Sequence, residues 1–468
     1  MPIRLLLFGK LVILWQKILE NTMSYPVDSD AVRDDAVATL SRYIQFNTTN
    51  PPGDEMQAAQ WFRDQLIQRS ITRDVTVHEP VPNRGLVLAR IPGSEPLKPL
   101  LINHHIDVVA ADPTQWTHAP FSGDIADGFV WGRGTLDTKQ LGILHLFALE
   151  SLAKEGVQFR RPIIVTAVPD EETGGVHGMQ WLIDNYLASI DPEWVWDEGS
   201  GGFKGLFGPQ IMFGVLVAEK QIHQMRLIAH GEPGHGSMPH DKNANIILNN
   251  ALHRIANSPR PLRVNPMMKI MLQSIAASQK FPTSFILNNL QNPLVTQLAG
   301  KRLTQDRLFN ALLRDTVSIN VVKGGYKTNV IPETAQAELD CRLLPDTDGA
   351  EFENWLRERV ADERVTVEPM GKSTPSGIAP LDNKFYQTIT HVVDKHVPGA
   401  SVFPLQMPGA TDGRYFRQRG YAAYGFGPMI LEKQDINRTH GIDERISIDN
   451  IMLGIKMTRD IIRELCVD

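Results

Sequence analysis

The chain has 468 residues, 42% of them hydrophobic and 21% charged. That balance excludes a disordered or collagen-like chain and leaves room for roughly two to four domains. Lys and Arg number 47 against 53 Asp and Glu, a net charge of −6, which argues against nucleic acid as a partner. Cys341 and Cys466 are far apart and are the only cysteines, so a disulfide framework and a thiolate metal site are both excluded. A metal bound here must use His, Asp and Glu.

Residues Ile3–Leu19 (IRLLLFGKLVILWQKIL) are the most apolar stretch, interrupted by Arg4, Lys10 and Lys17. They are too short and too charged to span a bilayer, and no small-residue cleavage site follows. The stretch reads either as an interfacial amphipathic helix or as an over-extended start with Met23 as initiator. The second reading is preferred, because ordinary domain sequence begins just after Met23. Residues 1–23 are therefore taken as an extension, and a cytoplasmic protein without stable membrane insertion is expected.

From Asp28 to Phe46 the apolar residues (Val32, Ala36, Leu40, Tyr43) recur with helical spacing, and NTTNPPG then marks a loop. Met56–Ser70 is a second amphipathic helix. VTVHEP and GLVLARIPG read as short strands. PLLINHHIDVV is a continuous apolar run, as a strand buried on both faces looks. Helix Leu141–Glu155, strand RPIIVTAVPDEE, helix Gly178–Ala188 and strand EWVWDEG follow. Buried strands alternating with helices predict an α/β fold, a mostly parallel sheet flanked by helices.

After Lys220 the pattern changes. QMRLIAHG alternates as a half-exposed strand; Ala244–Ala256 is a helix; Thr316–Val322 and Ala335–Leu343 are strands. Helix Glu351–Val360 and strand RVTVEP complete a β-α-β-β-α-β order, that of a ferredoxin-like α+β domain. Residues 261–315 are an extra, partly helical insertion in it. From about Ser373 the α/β style returns with helix Phe385–Lys395, strand YAAYGFGP and helix Ile448–Leu465. Residues 24–220 and 373–468 are thus expected to form one domain, with 221–372 inserted as a lid.

Ligands bind at the carboxyl ends of strands in open α/β sheets, and the ionisable clusters fall there. In Asn103-His104-His105-Ile106-Asp107, the side chains of His105 and Asp107 share a strand face. That spacing suits a histidine ligand whose second ring nitrogen, or whose local backbone, is fixed by a carboxylate. His104 faces the other way and reads as packed. Asp137, in GRGTLDTK, precedes a helix and by itself reads as an N-cap. In Pro169-Asp170-Glu171-Glu172-Thr173-Gly174-Gly175 three adjacent acids repel one another and call for a cation. Glu171 and Glu172 diverge, so one can bind metal while the other faces a metal-activated water. Asp197 and Glu198 end another strand, and His440 lies in a late loop. Two histidines and three or four carboxylates fit two divalent ions such as Zn²⁺, bridged by one shared carboxylate.

The ordered set of H-x-D at His105–Asp107, GRGTLDTK, PDEETGG, WDEG, GEPGHGS, ATDGRYFR and His440 resembles the aminoacylase and carboxypeptidase G family of di-zinc metallohydrolases. That family also holds acetylornithine deacetylase, succinyl-diaminopimelate desuccinylase and carnosinase-type dipeptidases. The resemblance runs from about Val32 to the C-terminus and is nearest the aminoacylase and carboxypeptidase S branches. It implies two Zn²⁺ per chain, with Co²⁺ or Mn²⁺ as substitutes. His105 and Glu198 would complete one site, Glu172 and His440 the other, and Asp137 would bridge. Asp197 is the alternative to Glu198. Glu171 would be the general base and acid, and Asp107 would orient His105.

The same resemblance makes His235 a carbonyl-polarising residue, often from a neighbouring subunit, and so implies a homodimer through the lid. It makes Asn329 and Arg342 substrate contacts, and Arg414 the fork that grips a substrate carboxylate. The implied reaction is hydrolysis of an amide bond beside a free carboxylate, in an N-acyl-amino acid or a short peptide. A carbamoyl-type C–N hydrolase and an inactive binding protein are the alternatives; the full set of ligands and base argues against the latter. A serine hydrolase is disfavoured because Ser200, in EGSGG, lacks the first glycine of a G-x-S-x-G elbow.

Overall fold

The structure, a computed structural model, describes residues 26–371 and 375–468. The apolar N-terminal stretch and the expected boundary at Ser373 lie outside them. The centre of the fold is the Leu100–His105 strand, with all six residues buried. It runs parallel to Ile163–Val168 on one side and to Trp194–Asp197 on the other. Ala422–Gly425 continues the parallel run beside Trp194–Asp197. Leu86–Ile91 and Val75–His78 close one end of this ten-stranded sheet in antiparallel fashion. The helices Asp30–Ile44, Lys139–Lys154 and Ile448–Cys466 pack over it. Ile102, Trp196, Phe385 and Ile455 lie fully buried in the main core, where each such side chain contributes about 1.5–3 kcal/mol of transfer free energy.

Two strands in the other half of the sheet were not anticipated. Met212–Glu219 is buried at all eight positions, and Ser401–Met407 runs parallel to it. The second contains Pro404, which normally argues against a strand. It is tolerated because this strand pairs on one side only, with Met212–Glu219.

A second sheet has the order Val365–Pro369, Met225–His230, Thr334–Leu343, Thr316–Gly324, all antiparallel. Burial alternates strictly along Ala335–Leu343, as one covered face requires. The covering helices are Ala244–Ala256 and Gly349–Val360, through Ile247, Leu248, Phe352 and Leu356. This is the ferredoxin-like lid.

Residues 261–315 form helices Pro266–Ala277, Thr283–Asn288, Pro293–Leu303 and Arg307–Leu312. They do not join the lid core. Met268, Met271, Leu272, Ile275 and Leu312 instead cluster with Met212 and Phe403 of the large sheet. The insertion leaves the chain inside the lid but serves as a cap over the two unanticipated strands, whose apolar side chains need cover.

Candidate active site and metal centre

Because Ile163–Val168, Leu100–His105 and Trp194–Asp197 are parallel neighbours, their carboxyl ends release His105, the Asp170–Glu172 turn and Glu198 at one place. Asp137 completes the group from the other side. Its carboxylate does not cap the Lys139–Lys154 helix, whose N-cap is Thr138 without a side-chain bond. Asp137 Oδ1 lies 3.0 Å from His105 Nε2, and Asp137 Oδ2 lies 3.0 Å from His440 Nε2. Glu198 Oε2 is 3.3 Å from His105 Nε2, and Glu172 Oε2 is 3.2 Å from His440 Nε2. Two triads result, His105–Asp137–Glu198 and Asp137–Glu172–His440, each with its ligand atoms within 4.8 Å of one another. Each takes one oxygen of Asp137.

The backbone holds this arrangement under strain. Asp170 and His440 both sit in the left-handed region, at φ 77° and 58°, which costs a non-glycine residue about 1–3 kcal/mol and persists only where the surroundings enforce it. The enforcing contacts are present. Asp170 accepts bonds from Thr173 Oγ1 at 2.6 Å and from the His177 amide at 2.9 Å, and pairs with Arg84 at 3.2 Å. Asp107 accepts from the amides of Glu171 and Glu172, both at 3.1 Å, and from Asn50 Nδ2 at 2.8 Å. His105 Nδ1 meets the backbone carbonyl of Asp107 at 2.8 Å, whereas the carboxylate stands 3.7 Å away. Asp107 therefore orients His105 through its main chain and spends its carboxylate on the Glu171–Glu172 turn. With Nδ1 donating to that carbonyl, Nε2 is the ring nitrogen turned to the site; it donates to Asp137 here and would offer a lone pair to a metal once deprotonated.

Sequence reasoning missed Glu444. This fully buried carboxylate accepts from the amides of Leu136, Gly134 and Asp137 at 2.6, 3.1 and 3.2 Å and pairs with Arg133 at 2.6 Å. It ties the Asp137 loop to the loop that carries His440. The only trace in the sequence is an acid four residues after that histidine, a spacing that carries no signal in a loop. Asn50, just before the two prolines, was missed for the same reason. Asp197 accepts from Asn103 Nδ2 at 2.8 Å and from the Gly413 amide and belongs to neither triad. His104 is packed, hydrogen-bonded to Tyr43 at 3.0 Å.

Four carboxylates, from Asp137, Glu171, Glu172 and Glu198, line one cavity wall. Burial, followed by the charge of Glu198, holds Glu171 well above the usual carboxylate range. Burial likewise pushes Glu198 up to about 8. Burial also opposes ionisation of Asp137, but hydrogen bonds with His105 and His440 outweigh it and hold that group below its usual range. Hydrogen bonds with Asp137 and Glu172 lift His440 to about 10. Glu172 Oε1 is buried without a partner. Carboxylates and imidazoles in this number, with an unsatisfied oxygen facing inward, fit two divalent cations of borderline hardness.

The cavity measures about 480 Å³, within the usual range for small-molecule sites. Its far wall is apolar, made by Phe203, Phe207, Leu405 and Met429 together with Met271, Leu308 and Leu312 of the cap. Glu171 lies in the cavity wall but in neither triad.

The four expected substrate-contacting side chains do not line this cavity. His235 is exposed on the lid, 2.8 Å from Ser237 Oγ. Asn329 sits beside it, its carbonyl accepting from the Gly236 amide at 2.9 Å. Arg342 pairs with Asp340 at 2.9 Å on the lid sheet. Arg414 departs furthest from expectation. It is 3% exposed, and its terminal nitrogens donate to the carbonyls of Thr411 at 2.8 Å and Gly174 at 2.7 Å. A guanidinium so occupied braces the Glu171 turn and offers no fork to a substrate in this conformation.

Two histidine–carboxylate triads sharing one carboxylate, at the carboxyl ends of a parallel sheet, define a metal-dependent hydrolase. The chain belongs to peptidase family M20/M25/M40, whose family model matches residues 101–464. It is 32% identical over 389 residues to the N-fatty-acyl-amino acid synthase/hydrolase PM20D1 of Xenopus tropicalis, covering 81% of this chain and 75% of that one. It is 29% identical over 441 residues to aminoacylase-1 of Sus scrofa, covering 92% and 95%. Among solved structures, the M20 family metallo-carboxypeptidase Sso-CP2 of Sulfolobus solfataricus matches with a TM-score of 0.67 at 17% identity, covering 92% and 98%. The YXEP protein of Bacillus subtilis, described as a dinuclear metal binding peptidase from the M20 family, matches with a TM-score of 0.55 at 14% identity, covering 93% and 99%. At these identities the two structures speak to the fold. Among the described residues no helix is long and apolar enough to cross a membrane.

Proposed function

We propose that the protein hydrolyses the amide bond of N-acyl-amino acids, with the acyl group seated in the apolar part of the cavity. The observation that carries this reading is the cavity itself, which joins the two triads to an apolar pouch. The names of the Xenopus and Sus relatives support an N-acyl-amino acid over a peptide. His105 and Glu198 would hold one Zn²⁺, Glu172 and His440 the other, with Asp137 shared; Co²⁺ or Mn²⁺ would substitute. When bound, the ions neutralise the crowded carboxylates and supply Lewis acidity that activates water and polarises a carbonyl.

Glu171 takes a proton from the attacking water and returns it to the departing amine nitrogen. Asp107 and Arg414 hold the turn that aims Glu171. His235, Asn329 and Arg342 contribute from the lid, either on closure or from a second subunit. Thr316–Gly324 is an edge strand of the lid sheet, which supports a homodimer through that edge. The two cysteines are free and buried, in keeping with a cytoplasmic location.

The test is release of free amino acid from a panel of N-acyl-amino acids and dipeptides by zinc-loaded protein, with Glu171→Gln beside the wild type. Loss of at least about three orders of magnitude in kcat with metal content intact is expected. Near-normal turnover in the variant removes Glu171 from the reaction. Mixing Glu171→Gln with His235→Ala chains tests the subunit question: partial recovery of activity means that His235 acts across a dimer, and no recovery means that it acts within one chain.

A further inference from the structure

The cap over residues 261–315 has a second face that the reaction does not use. Its inner face closes the pouch through Met271, Leu308 and Leu312. Its outer face leaves large apolar side chains in solvent. Phe281 is 81% exposed, Phe285 53%, Leu294 68% and Leu298 84%. The two phenylalanine rings lie 6.5 Å apart, centroid to centroid. Leu294 and Leu298 are four residues apart on the Pro293–Leu303 helix, so they share one side of it. Isolated exposed apolar residues are ordinary, but such residues grouped on successive short helices mark a surface that meets something apolar.

Charge identifies what that is. Residues 261–315 contain seven Lys and Arg against two Asp and Glu, a balance of +5 in a chain whose total is −6. The rest of the protein therefore carries −11, and the cap is its basic pole. The cations sit among the exposed apolar groups. Lys280 precedes Phe281, and Lys301 and Arg302 follow Leu298 by three and four residues on the same helix. Lys269, Lys280, Lys301, Arg302 and Arg307 are all exposed, and none has an ion pair or side-chain hydrogen bond among the described residues. The acids of the segment are otherwise engaged. Asp306 caps the Arg307–Leu312 helix, and Asp315 is buried against Arg260 and Thr347.

We infer that the outer face of the cap docks on an anionic lipid surface. Exposed apolar side chains interleaved with unpaired cations along one segment are what interfacial binding requires. A second copy of this chain fits less well, because two segments with a balance of +5 repel. A protein partner would have to be both acidic and apolar, and nothing else in the structure points to one. Docking here brings the segment that supplies Met271, Leu308 and Leu312 to the pouch wall onto the lipid, so an acyl-bearing molecule would leave the lipid near the cavity that accepts it.

The experiment uses the full-length, metal-loaded chain and sedimentation with vesicles of phosphatidylcholine, with and without phosphatidylserine. The wild type is expected to sediment with the phosphatidylserine vesicles and to be released by salt. The apolar variant Phe281→Ser/Leu298→Ser and the charge variant Lys280→Glu/Lys301→Glu/Arg302→Glu are both expected to lose binding. For the charge variant the loss is about fivefold per cation removed, from roughly 1 kcal/mol each. Hydrolysis of a water-soluble N-acetyl-amino acid should be unchanged in both, which shows that they remain folded and separates docking from catalysis. Wild type that stays in the supernatant overturns the inference. So does undiminished binding by the variants, which would assign membrane affinity to another segment such as Ile3–Leu19. Conversion of a dimer to a monomer by the Phe281→Ser/Leu298→Ser change, with vesicle binding absent, would assign the face to a second copy and equally overturn it.

Discussion

Each methylene added to the acyl group of an N-acyl-amino acid moves about one more CH₂ from water into the pouch, if Phe203, Phe207, Leu405, Met429 and the cap residues receive it. At about 0.8 kcal/mol per buried CH₂, kcat/KM should climb about fourfold per methylene. From acetyl to octanoyl the six added methylenes set a ceiling of about 5 kcal/mol, or roughly three thousandfold. The rise stops when the cavity of about 480 Å³ is full. Leu308 lines the pouch yet is 42% exposed, so Leu308→Trp adds bulk there with little overpacking of the fold. In that variant the acetyl substrate should be cleaved as by the wild type, while the climb should level off several carbons earlier. The assay is amino-acid release across a C2 to C12 acyl series with one amino acid held constant. A flat or falling series in the wild type, or a variant whose series runs parallel to it at every length, would refute the placement of the acyl chain.

Three further outcomes follow from the site. Glu444→Ala leaves the buried Arg133 unpaired and strands three backbone amides, so it should lower stability by about 3–5 kcal/mol in a denaturant titration. Glu444→Gln, which keeps an acceptor for the amides, should recover part of that; equal loss in the two variants would mean that the amide contacts contribute nothing. Asp137→Asn weakens both triads at once and should reduce bound metal at both, measured by elemental analysis, whereas Glu198→Gln should spare the His440 side. Equal metal content in Asp137→Asn and wild type would exclude the shared ligand. In metal-free protein His440 is lifted from 6.5 to about 10. The stabilisation it contributes is therefore complete below about pH 6.5 and is lost as pH rises through about 10, so the apo Tm should fall over that interval. Metal binding near pH 8 should accordingly release protons, seen as buffer-dependent calorimetric heats, because a ligating imidazole must be neutral; absence of proton release would remove His440 from the site.

The strand-end clusters were readable in the sequence because strand geometry is local. An apolar run that ends in His, Asp or Glu fixes both burial and the end at which chemistry appears, and alternation set His104 and His105 on opposite faces. The ferredoxin-like order was readable for the same reason. Other features depend on partners distant in the chain. Ser401–Met407 was hidden by Pro404, acceptable only because that strand pairs on one side. The partly helical character of residues 261–315 was visible, but nothing local says that Met268 and Met271 pack on the large sheet and not on the lid.

Arg414 shows the same division most clearly. The resemblance makes it the fork for a substrate carboxylate, whereas the carbonyls of Gly174 and Thr411 engage its terminal nitrogens. The sequence by itself determined the donor chemistry, which was two histidines and a set of acids with no thiolates, and it determined the elements that deliver them. The tertiary structure decided which oxygen faces which imidazole, which acids serve as braces, and that an insertion from the lid walls the cavity. The reason is physical. Residue type and period are properties of a short segment, whereas a hydrogen bond or a buried contact is shared between segments that only the fold brings together.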